Sequence, residues 1–196
     1  MEMGLSRSDW TEAGLAALAQ TGLAGVAVDP LARQLGATKG SFYWHFSNRD
    51  ELIAATLALW EQRHTADVIA AIEAISDPRE RIGALARFAY ERATRDSNPQ
   101  AGVLAAASDS RVAPVLERAT ASRLAFLERL YRELGVEPEA ARRHARLAYA
   151  MYVGMVDLRR AAPAALKPEE DLDDQVELMF QALTLTSTAA ASISHR

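Results

Sequence analysis

The stretch GATKGSFYWHF, residues 36–46, decides the fold of this chain. Gly36 supplies a residue that is free to adopt positive φ, as a tight turn between two helices requires. The helix before it has a candidate buried face, made by Val28, Leu31, Ala32 and Leu35. The helix after it begins with small or polar residues at 38–41 and carries Phe42 and Phe46 at i and i+4, where both rings can anchor to a core. This pattern predicts a helix-turn-helix over about residues 27–46.

Helical patterns continue on both sides of this stretch, and alternating strand-like runs are absent from the sequence. We expect the first helix to begin at Asp9, with Glu12 as its capping partner, and the second to begin with Asp29 as cap and Pro30 at the first position. Asn48 and Glu51 form a further capping pair. Predicted helices occupy 9–20, 29–36, 39–45, 48–65, 66–75, 79–96, 100–108, 111–134, 138–160 and 171–190.

The predicted fold class is therefore all-α, with about nine helices. An N-terminal helix-turn-helix domain is expected over residues 1–50, and a helical effector-binding and dimerisation domain over residues 51–196. The four Xaa-Pro steps at 77–78, 98–99, 137–138 and 167–168 each precede a new amphipathic run, which is where helices are expected to begin.

The composition, with 49% hydrophobic and 24% charged residues, is that of a globular protein and excludes a disordered or collagen-like chain. The sequence contains no cysteine, so disulfides and thiolate metal sites are excluded. We expect no signal peptide and no membrane span, and therefore a cytoplasmic protein. The net charge of −4 argues against nonspecific coating of nucleic acid, yet residues 24–49 carry three positive side chains against one negative.

The segment Trp10–Ile53 resembles the DNA-binding domain of the TetR family of bacterial transcription regulators. The family pattern is a helix closed by Gly, a second helix, a Gly-Val-Ser-Lys-Gly-Thr-Leu-Tyr-His-His-Phe run and then Ser-Lys-Glu-x-Leu. The last two parts read GATKGSFYWHF and NRDEL here and align without a gap. The resemblance covers about the first quarter of the chain and implies a repressor that binds operator DNA.

The resemblance also implies which residues contact DNA. Thr38, Lys39 and Ser41 would face the major groove, with Gly40 between them. Tyr43 and His45 stand where the family uses Tyr and His for contacts to the backbone and to thymine methyl groups, and Trp44 could reach a sugar or a phosphate. Arg49, in place of the usual Lys, would clamp a phosphate at a helix start. The family often has Thr where this chain has Val26, and Arg7 is the one cation of the N-terminal arm, so we expect modest phosphate contact.

The last two long helices each carry two apolar stripes, which indicates a second buried surface on each. In 138–160 the first stripe contains His144, Leu147, Met151, Met155 and Leu158, and the second contains Tyr149, Tyr152, Val153 and Val156. In 171–190 the stripes are Leu172, Val176, Met179 and Leu183, and Leu178, Ala182, Leu185 and Ala189. These stripes predict a homodimer through a four-helix bundle, which the resemblance also implies. The alternative is a helix buried centrally in a monomer.

Aromatic and soft side chains beyond the N-terminal domain are candidates for an effector pocket. They are Trp60, His64, Phe88, Tyr90, Phe126, Tyr149, Tyr152 and Met155. Taken one at a time, each of them is more often a core residue. The pattern predicts an unidentified small-molecule effector and gives no information on its chemistry.

An all-α enzyme is the main rival class. The sequence has no His-Glu-x-x-His spacing, no phosphate-cradling glycine loop and no nucleophile elbow, so we expect neither catalytic residues, nor a metal site, nor a cofactor. A second rival is a dimer that kept the helix-turn-helix but sequesters a ligand without binding DNA. Steeply salt-dependent retention of specific DNA would separate that protein from a regulator.

Overall fold

The structure, a computed structural model, describes residues 5–165 together with Asp174 and Glu177. The described part of the chain is all-α, as predicted, and contains no strand. Its α-helices are α1 (Arg7–Thr21), α2 (Val28–Gln34), α3 (Lys39–Tyr43), α4 (Arg49–Glu61), α5 (Asp67–Glu73), α6 (Pro78–Ala93), α7 (Pro99–Ala105), α8 (Ala113–Glu133) and α9 (Pro138–Ala161). The predicted helix at 171–190 lies outside the described residues, apart from Asp174 and Glu177, which are both helical.

Short turns of other helix types adjoin these elements. A 3₁₀ turn follows α1 at Leu23–Gly25, another follows α9 at Pro163–Ala165, and a π-helical turn at Gln62–Ala66 joins α4 to α5. The predicted fourth helix, to residue 65, is therefore interrupted after Glu61 by this wider turn.

Two of the predicted helix starts are wrong. Ser6, not Asp9, caps α1: the Ser6 hydroxyl accepts a hydrogen bond from the Asp9 amide, and the Asp9 carboxylate accepts one from the Ser6 amide at 2.7 Å. The second helix begins one residue before Asp29, with Ala27 at the N-cap position. Pro30 fits there because the first-turn amides of a helix have no intrahelical acceptor.

The third predicted cap, Asn48, is confirmed, and so are the helix starts expected at three of the Xaa-Pro steps. The Asn48 side chain accepts from the Glu51 amide at 2.9 Å, and Pro begins α6, α7 and α9. Asp77 and Asn98 cap α6 and α7 with their side chains. A carboxylate or amide oxygen at this position satisfies an amide that has no acceptor within the helix.

The chain divides into two compact units. The head unit comprises Met1–Asp67 and Ser97–Ala119, and the body unit comprises Val68–Asp96 and Thr120–Arg196. The domain boundary predicted at residue 50 separates two functions, DNA binding and effector binding, and not two compact units. That functional boundary stays a prediction.

One continuous hydrophobic cluster holds the head unit together, and Trp10, Phe42 and Trp60 lie fully buried in it. Helix α1 lies close against α4, where a methyl group at Gly14 would come within 2.4 Å of the Thr56 hydroxyl oxygen. A methyl group at Gly102 would come within 2.1 Å of the Leu18 carbonyl oxygen, so α7 also needs glycine to approach α1. These contacts fix the helices that support the helix-turn-helix.

Most of the described buried hydrophobic residues of the body unit fall into three smaller clusters. One surrounds Ile82 and Tyr131, one surrounds Phe126 and Leu130, and one contains Ala86 and Tyr90 with Met155 packed against them.

Candidate nucleic-acid interface

The turn between α2 and α3 has the predicted geometry. Gly36 has φ +63°, in the left-handed region that favours glycine. Thr38 is the N-cap of α3, and its hydroxyl accepts a hydrogen bond from the Ser41 amide at 3.2 Å. Thr38 is exposed to solvent, and its hydroxyl also caps α3. The sequence analysis did not predict this capping role.

Helix α3 is anchored by two aromatic rings, as the sequence predicts. Phe42 is 0% and Phe46 is 1% exposed. Their ring centroids lie 5.4 Å apart in a stacked pair, and Trp10 meets Phe42 edge-on at 5.3 Å. Aromatic pairs of this kind are more stable than their buried area alone implies. The rings fix the orientation of α3, although α3 ends at Tyr43 rather than at the predicted His45.

The opposite side of α3 presents large aromatic groups to solvent. Tyr43 is 61% exposed and Trp44 is 88% exposed, whereas the Phe42 side chain of the same helix is fully buried in the core. Lys39 and Gly40 are also exposed, and a methyl group at Gly40 would meet only the Thr38 hydroxyl, at 3.6 Å. Packing within the chain therefore does not explain why large aromatic side chains stand at these exposed positions.

Lys39 has an ionic partner within the head unit. Its ammonium nitrogen lies 2.8 Å from the Asp29 carboxylate of α2, and this hydrogen bond raises the pKa of Lys39 above its ordinary value. Both side chains are more than half exposed, so water screens the pair and its contribution to stability is small. The pair holds the Lys39 side chain across the turn of the helix-turn-helix.

Arg49 has a structural role that the sequence analysis did not predict. Its guanidinium donates to the carbonyl oxygens of Val26 at 2.7 Å and of Leu23 at 2.9 Å, which fixes the turn that leads into α2. Two of its five N–H groups are used in this way. Arg49 is also the first residue of α4. That it contacts a DNA phosphate stays a prediction.

The segment before α1 is attached to the end of the helix-turn-helix. The His45 Nε2 atom lies 2.7 Å from the Leu5 carbonyl oxygen and donates to it, since that oxygen can only accept. Arg7 donates to the His45 carbonyl, lies 4.1 Å above the Phe46 ring and pairs with Glu51 at 2.9 Å. The Ser47 amide and then Arg7 hold the pKa of Glu51 below its ordinary value. No local sequence pattern indicates the contacts of His45 and Arg7, which join residues about 40 positions apart.

The predicted effector residues lie in different environments. Trp60 is fully buried in the head core, and His64 lies in the π-helical turn after α4. In the body unit, Tyr90 with Met155 and Phe126 belong to two separate clusters. Phe88, Tyr149 and Tyr152 are half-buried. The prediction that these eight residues line one pocket stays a prediction.

Two further observations concern the described residues alone. In the described part of the chain, no group of three or more His, Asp and Glu side chains is arranged to hold a metal ion. Among the helices that the structure describes, none combines the length and the apolar character that crossing a membrane requires.

An exposed, polar-then-aromatic α3 that follows a glycine turn and rests on a buried aromatic pair defines a helix-turn-helix protein. The family model for "Bacterial regulatory proteins, tetR family" matches residues 11–56. Residues 11–56 therefore carry the sequence pattern of TetR-family bacterial regulatory proteins.

Solved structures with the same fold are also transcriptional regulators. The chain is similar to a regulator from Rhodococcus sp. Rha1 (TM-score 0.76, 20% identity, covering 93% of this chain and 98% of that one). It is also similar to a TetR-family regulator from Rhodococcus sp. (TM-score 0.68, 19% identity, covering 92% and 97%). A regulator from Saccharomonospora viridis in complex with choline matches with TM-score 0.67 and 16% identity, covering 90% and 92%. No curated protein sequence matches the chain.

Proposed function

We propose that this chain is a homodimeric transcriptional repressor that binds a near-palindromic operator and is released from it by a small-molecule effector. In this proposal residues 1–50 bind DNA, and residues 51–196 bind the effector and form the dimer. The single observation that carries it is the surface of α3 and the residue after it, where Tyr43 and Trp44 are 61% and 88% exposed. Exposing two large aromatic groups costs hydrophobic free energy that a bound partner would recover.

Major-groove DNA is the partner that this surface fits. The N-terminus of α3 presents small groups at Gly40 and Ser41, so that the backbone can approach base edges closely. Lys39 adds a cation, and Tyr43 and Trp44 can contact sugars, phosphates and thymine methyl groups. Thr38, His45 and Arg49 complete the proposed DNA-binding set, with Thr38 and His45 also making contacts within the head unit.

A second copy of this chain is proposed to pack on α9. Leu147 and Leu158 are 52% and 44% exposed, although the sequence places them in one stripe with the buried His144. Ala150, Gly154 and Ala161 are exposed on the same side of the helix as these two leucines, and a methyl group at Gly154 would meet nothing within 4 Å. A strip of leucines and small residues allows two helices to approach closely. In a twofold dimer the two copies of α3 would lie about 34–36 Å apart, one turn of DNA.

An effector in the body is the remaining part of the proposal. The similar structure from Saccharomonospora viridis contains choline, so a protein of this fold can bind a small molecule. A ligand that binds the DNA-incompetent arrangement more tightly would shift the population away from DNA.

The test is selection of genomic DNA fragments by the full chain, followed by sedimentation. We expect specific fragments to be retained over random DNA, with affinity that falls steeply as salt rises. The double variant Leu147→Glu, Leu158→Glu should sediment as a monomer and lose most of this affinity, because each half-site alone binds weakly. Arg132→Glu, an exposed position on α8, is the control and should remain dimeric.

Retention of random and genomic fragments alike would contradict the regulator, and retention of no fragment at all would favour the ligand-sequestering dimer. Sedimentation of the double variant as a dimer would contradict the α9 interface.

A further inference from the structure

The start of the described chain is fastened to the connection between α3 and α4 at one residue, His45. The His45 Nε2 atom donates to the Leu5 carbonyl oxygen at 2.7 Å. In the opposite direction, Arg7, the first residue of α1, donates from its guanidinium to the His45 carbonyl oxygen. Both the ring and the backbone of His45 are therefore held by residues about 40 positions earlier in the chain.

Arg7 contacts three chemically different groups at once. Besides the His45 carbonyl, its guanidinium carbon lies 4.1 Å from the centre of the Phe46 ring, and its Nη2 atom lies 2.9 Å from a Glu51 carboxylate oxygen. A planar, forked guanidinium suits a carbonyl, a ring face and a carboxylate together, whereas a lysine ammonium is a single point charge. The shape of the Arg7 side chain therefore matters for these contacts, and not its charge alone.

The Glu51 carboxylate holds the same connection from the side of α4. One of its oxygens pairs with Arg7, and the other accepts a hydrogen bond from the Ser47 amide at 2.7 Å. Ser47 directly precedes Asn48, the N-cap of α4. We name the side chains of Arg7 and Glu51, with the groups that they contact, the N-terminal brace.

The brace orders the backbone that follows the exposed aromatic side chains of the helix-turn-helix. Trp44 directly precedes His45, and α3 itself ends at Tyr43. The Arg7 and Glu51 side chains are 49% and 38% exposed, so their ion pair by itself contributes little to stability. What the contacts supply is a fixed orientation, and a segment that is ordered before binding loses less conformational entropy when it binds.

We propose that Arg7 and Glu51 are positioning residues for DNA binding, which act through His45, Phe46 and Ser47 on the end of α3, and that Arg7 is not a phosphate contact. This inference rests on the proposed function, because it concerns the same DNA-binding surface. From the sequence, Arg7 is only a cation that could lie near DNA. It also lies outside residues 11–56, which the family model matches.

A charge-conserving replacement separates positioning from phosphate contact. Arg7→Lys keeps the positive charge, so a phosphate contact would survive and the affinity for a selected genomic fragment would change little. A positioning role needs the forked guanidinium. Arg7→Lys should then weaken gel retention about tenfold, nearly as much as Arg7→Gln, as expected if the binding-competent arrangement is populated about a tenth of the time.

The pair of Arg63 with Glu12 provides the matched control. It also joins a partly exposed arginine and glutamate within the head unit, but it links α1 to the π-helical turn after α4. Arg63→Lys should retain the fragment as the wild type does.

Removing the Glu51 carboxylate has opposite expected results under the two explanations. Glu51→Ala deletes a negative charge next to the helix-turn-helix, so simple attraction between the protein and phosphates would become stronger. If Glu51 holds Arg7 and Ser47 in place, the same variant should instead retain the fragment several-fold more weakly. Glu12→Ala, which deletes the same charge from the control pair, should not weaken retention.

Hydrogen exchange of the full chain without DNA gives a readout that is independent of the regulator. Arg7→Lys and Glu51→Ala should accelerate amide exchange several-fold in residues 43–48, because the local opening of this segment becomes easier. Arg63→Lys and Glu12→Ala should leave this segment unchanged. Circular dichroism on each variant checks that the helices are intact.

Wild-type affinity of Arg7→Lys would overturn the inference, and so would tighter retention by Glu51→Ala or unchanged exchange of residues 43–48 in both variants. The proposed function has a separate readout. If the wild-type chain retains no genomic fragment over random DNA, the regulator fails, while accelerated exchange would still support the brace. If the wild type and the brace variants retain fragments equally, the positioning role alone fails.

Discussion

The head unit and the body unit use their hydrophobic residues differently. The buried hydrophobic residues of the head form one cluster that includes Trp10, Phe42, Phe46 and Trp60. Most of those described in the body fall into three smaller clusters, and half-buried arginines and tyrosines lie among its helices. A continuous core holds a recognition helix in one orientation, as reading DNA requires.

Exposed ion pairs occur in both units. The head pairs Lys39 with Asp29 and Arg7 with Glu51, where water screens the charges. The body pairs Arg129 with Glu73 in the same way. In the head these exposed charges are accessible to a partner outside the protein.

The largest expected effect comes from breaking each core at a buried phenylalanine. Phe42→Ala should lower the free energy of unfolding by about 4 kcal/mol, because a single well-packed cluster leaves a cavity that cannot collapse. Phe126→Ala, in one of the small body clusters, should cost less, about 3 kcal/mol, because its surroundings can relax. Urea unfolding followed by circular dichroism measures both values. An equal or larger loss for Phe126→Ala would contradict the contrast between the two cores.

A smaller effect is expected at positive-φ glycines, and one from each unit allows a matched comparison. Gly36 has φ +63° and Gly135 has φ +83°, and in both places a methyl group would meet no atom within 4 Å. Backbone strain is thus the main cost of Gly36→Ala and of Gly135→Ala, about 1–2 kcal/mol each. Gel retention of DNA should distinguish the two variants: Gly36→Ala should bind DNA more weakly and Gly135→Ala should not, since only Gly36 sets the direction of α3. Loss of retention in Gly135→Ala alone would contradict this division of roles.

The smallest change in stability is expected at Gly40, in the first turn of α3. Alanine fits there, with its methyl group 3.6 Å from the Thr38 hydroxyl, and favours helix, so Gly40→Ala should raise stability by a few tenths of a kcal/mol, up to about 1 kcal/mol. If the backbone of α3 approaches DNA at this glycine, the same variant should bind its operator more weakly. Thermal unfolding and gel retention measure the two effects. An unchanged affinity would remove Gly40 from the DNA-binding set.

The sequence predicted those features that depend on neighbours a few residues apart. The glycine turn, the Phe42 and Phe46 anchor and the Asn48 cap each follow from spacings of three or four residues. Where two local solutions compete, the prediction failed. Ser6 with Asp9 and Asp9 with Glu12 both fit a capping pair, and the structure uses the earlier one.

Features that join distant parts of the chain could not be predicted in this way. The contact of Arg7 with Glu51 and the donation from Arg49 to Leu23 and Val26 depend on how helices pack, not on local spacing.

The most direct test of the recognition helix is gel retention of a selected genomic fragment by the double variant Lys39→Ala, Tyr43→Ala. Both side chains are exposed, so dimer mass and helicity should equal those of the wild type. Losing two DNA contacts should weaken retention about a hundredfold. Arg132→Ala, which also removes one positive charge, should bind as the wild type does. Retention of the fragment by the double variant at wild-type affinity would contradict the assignment of α3 to the major groove.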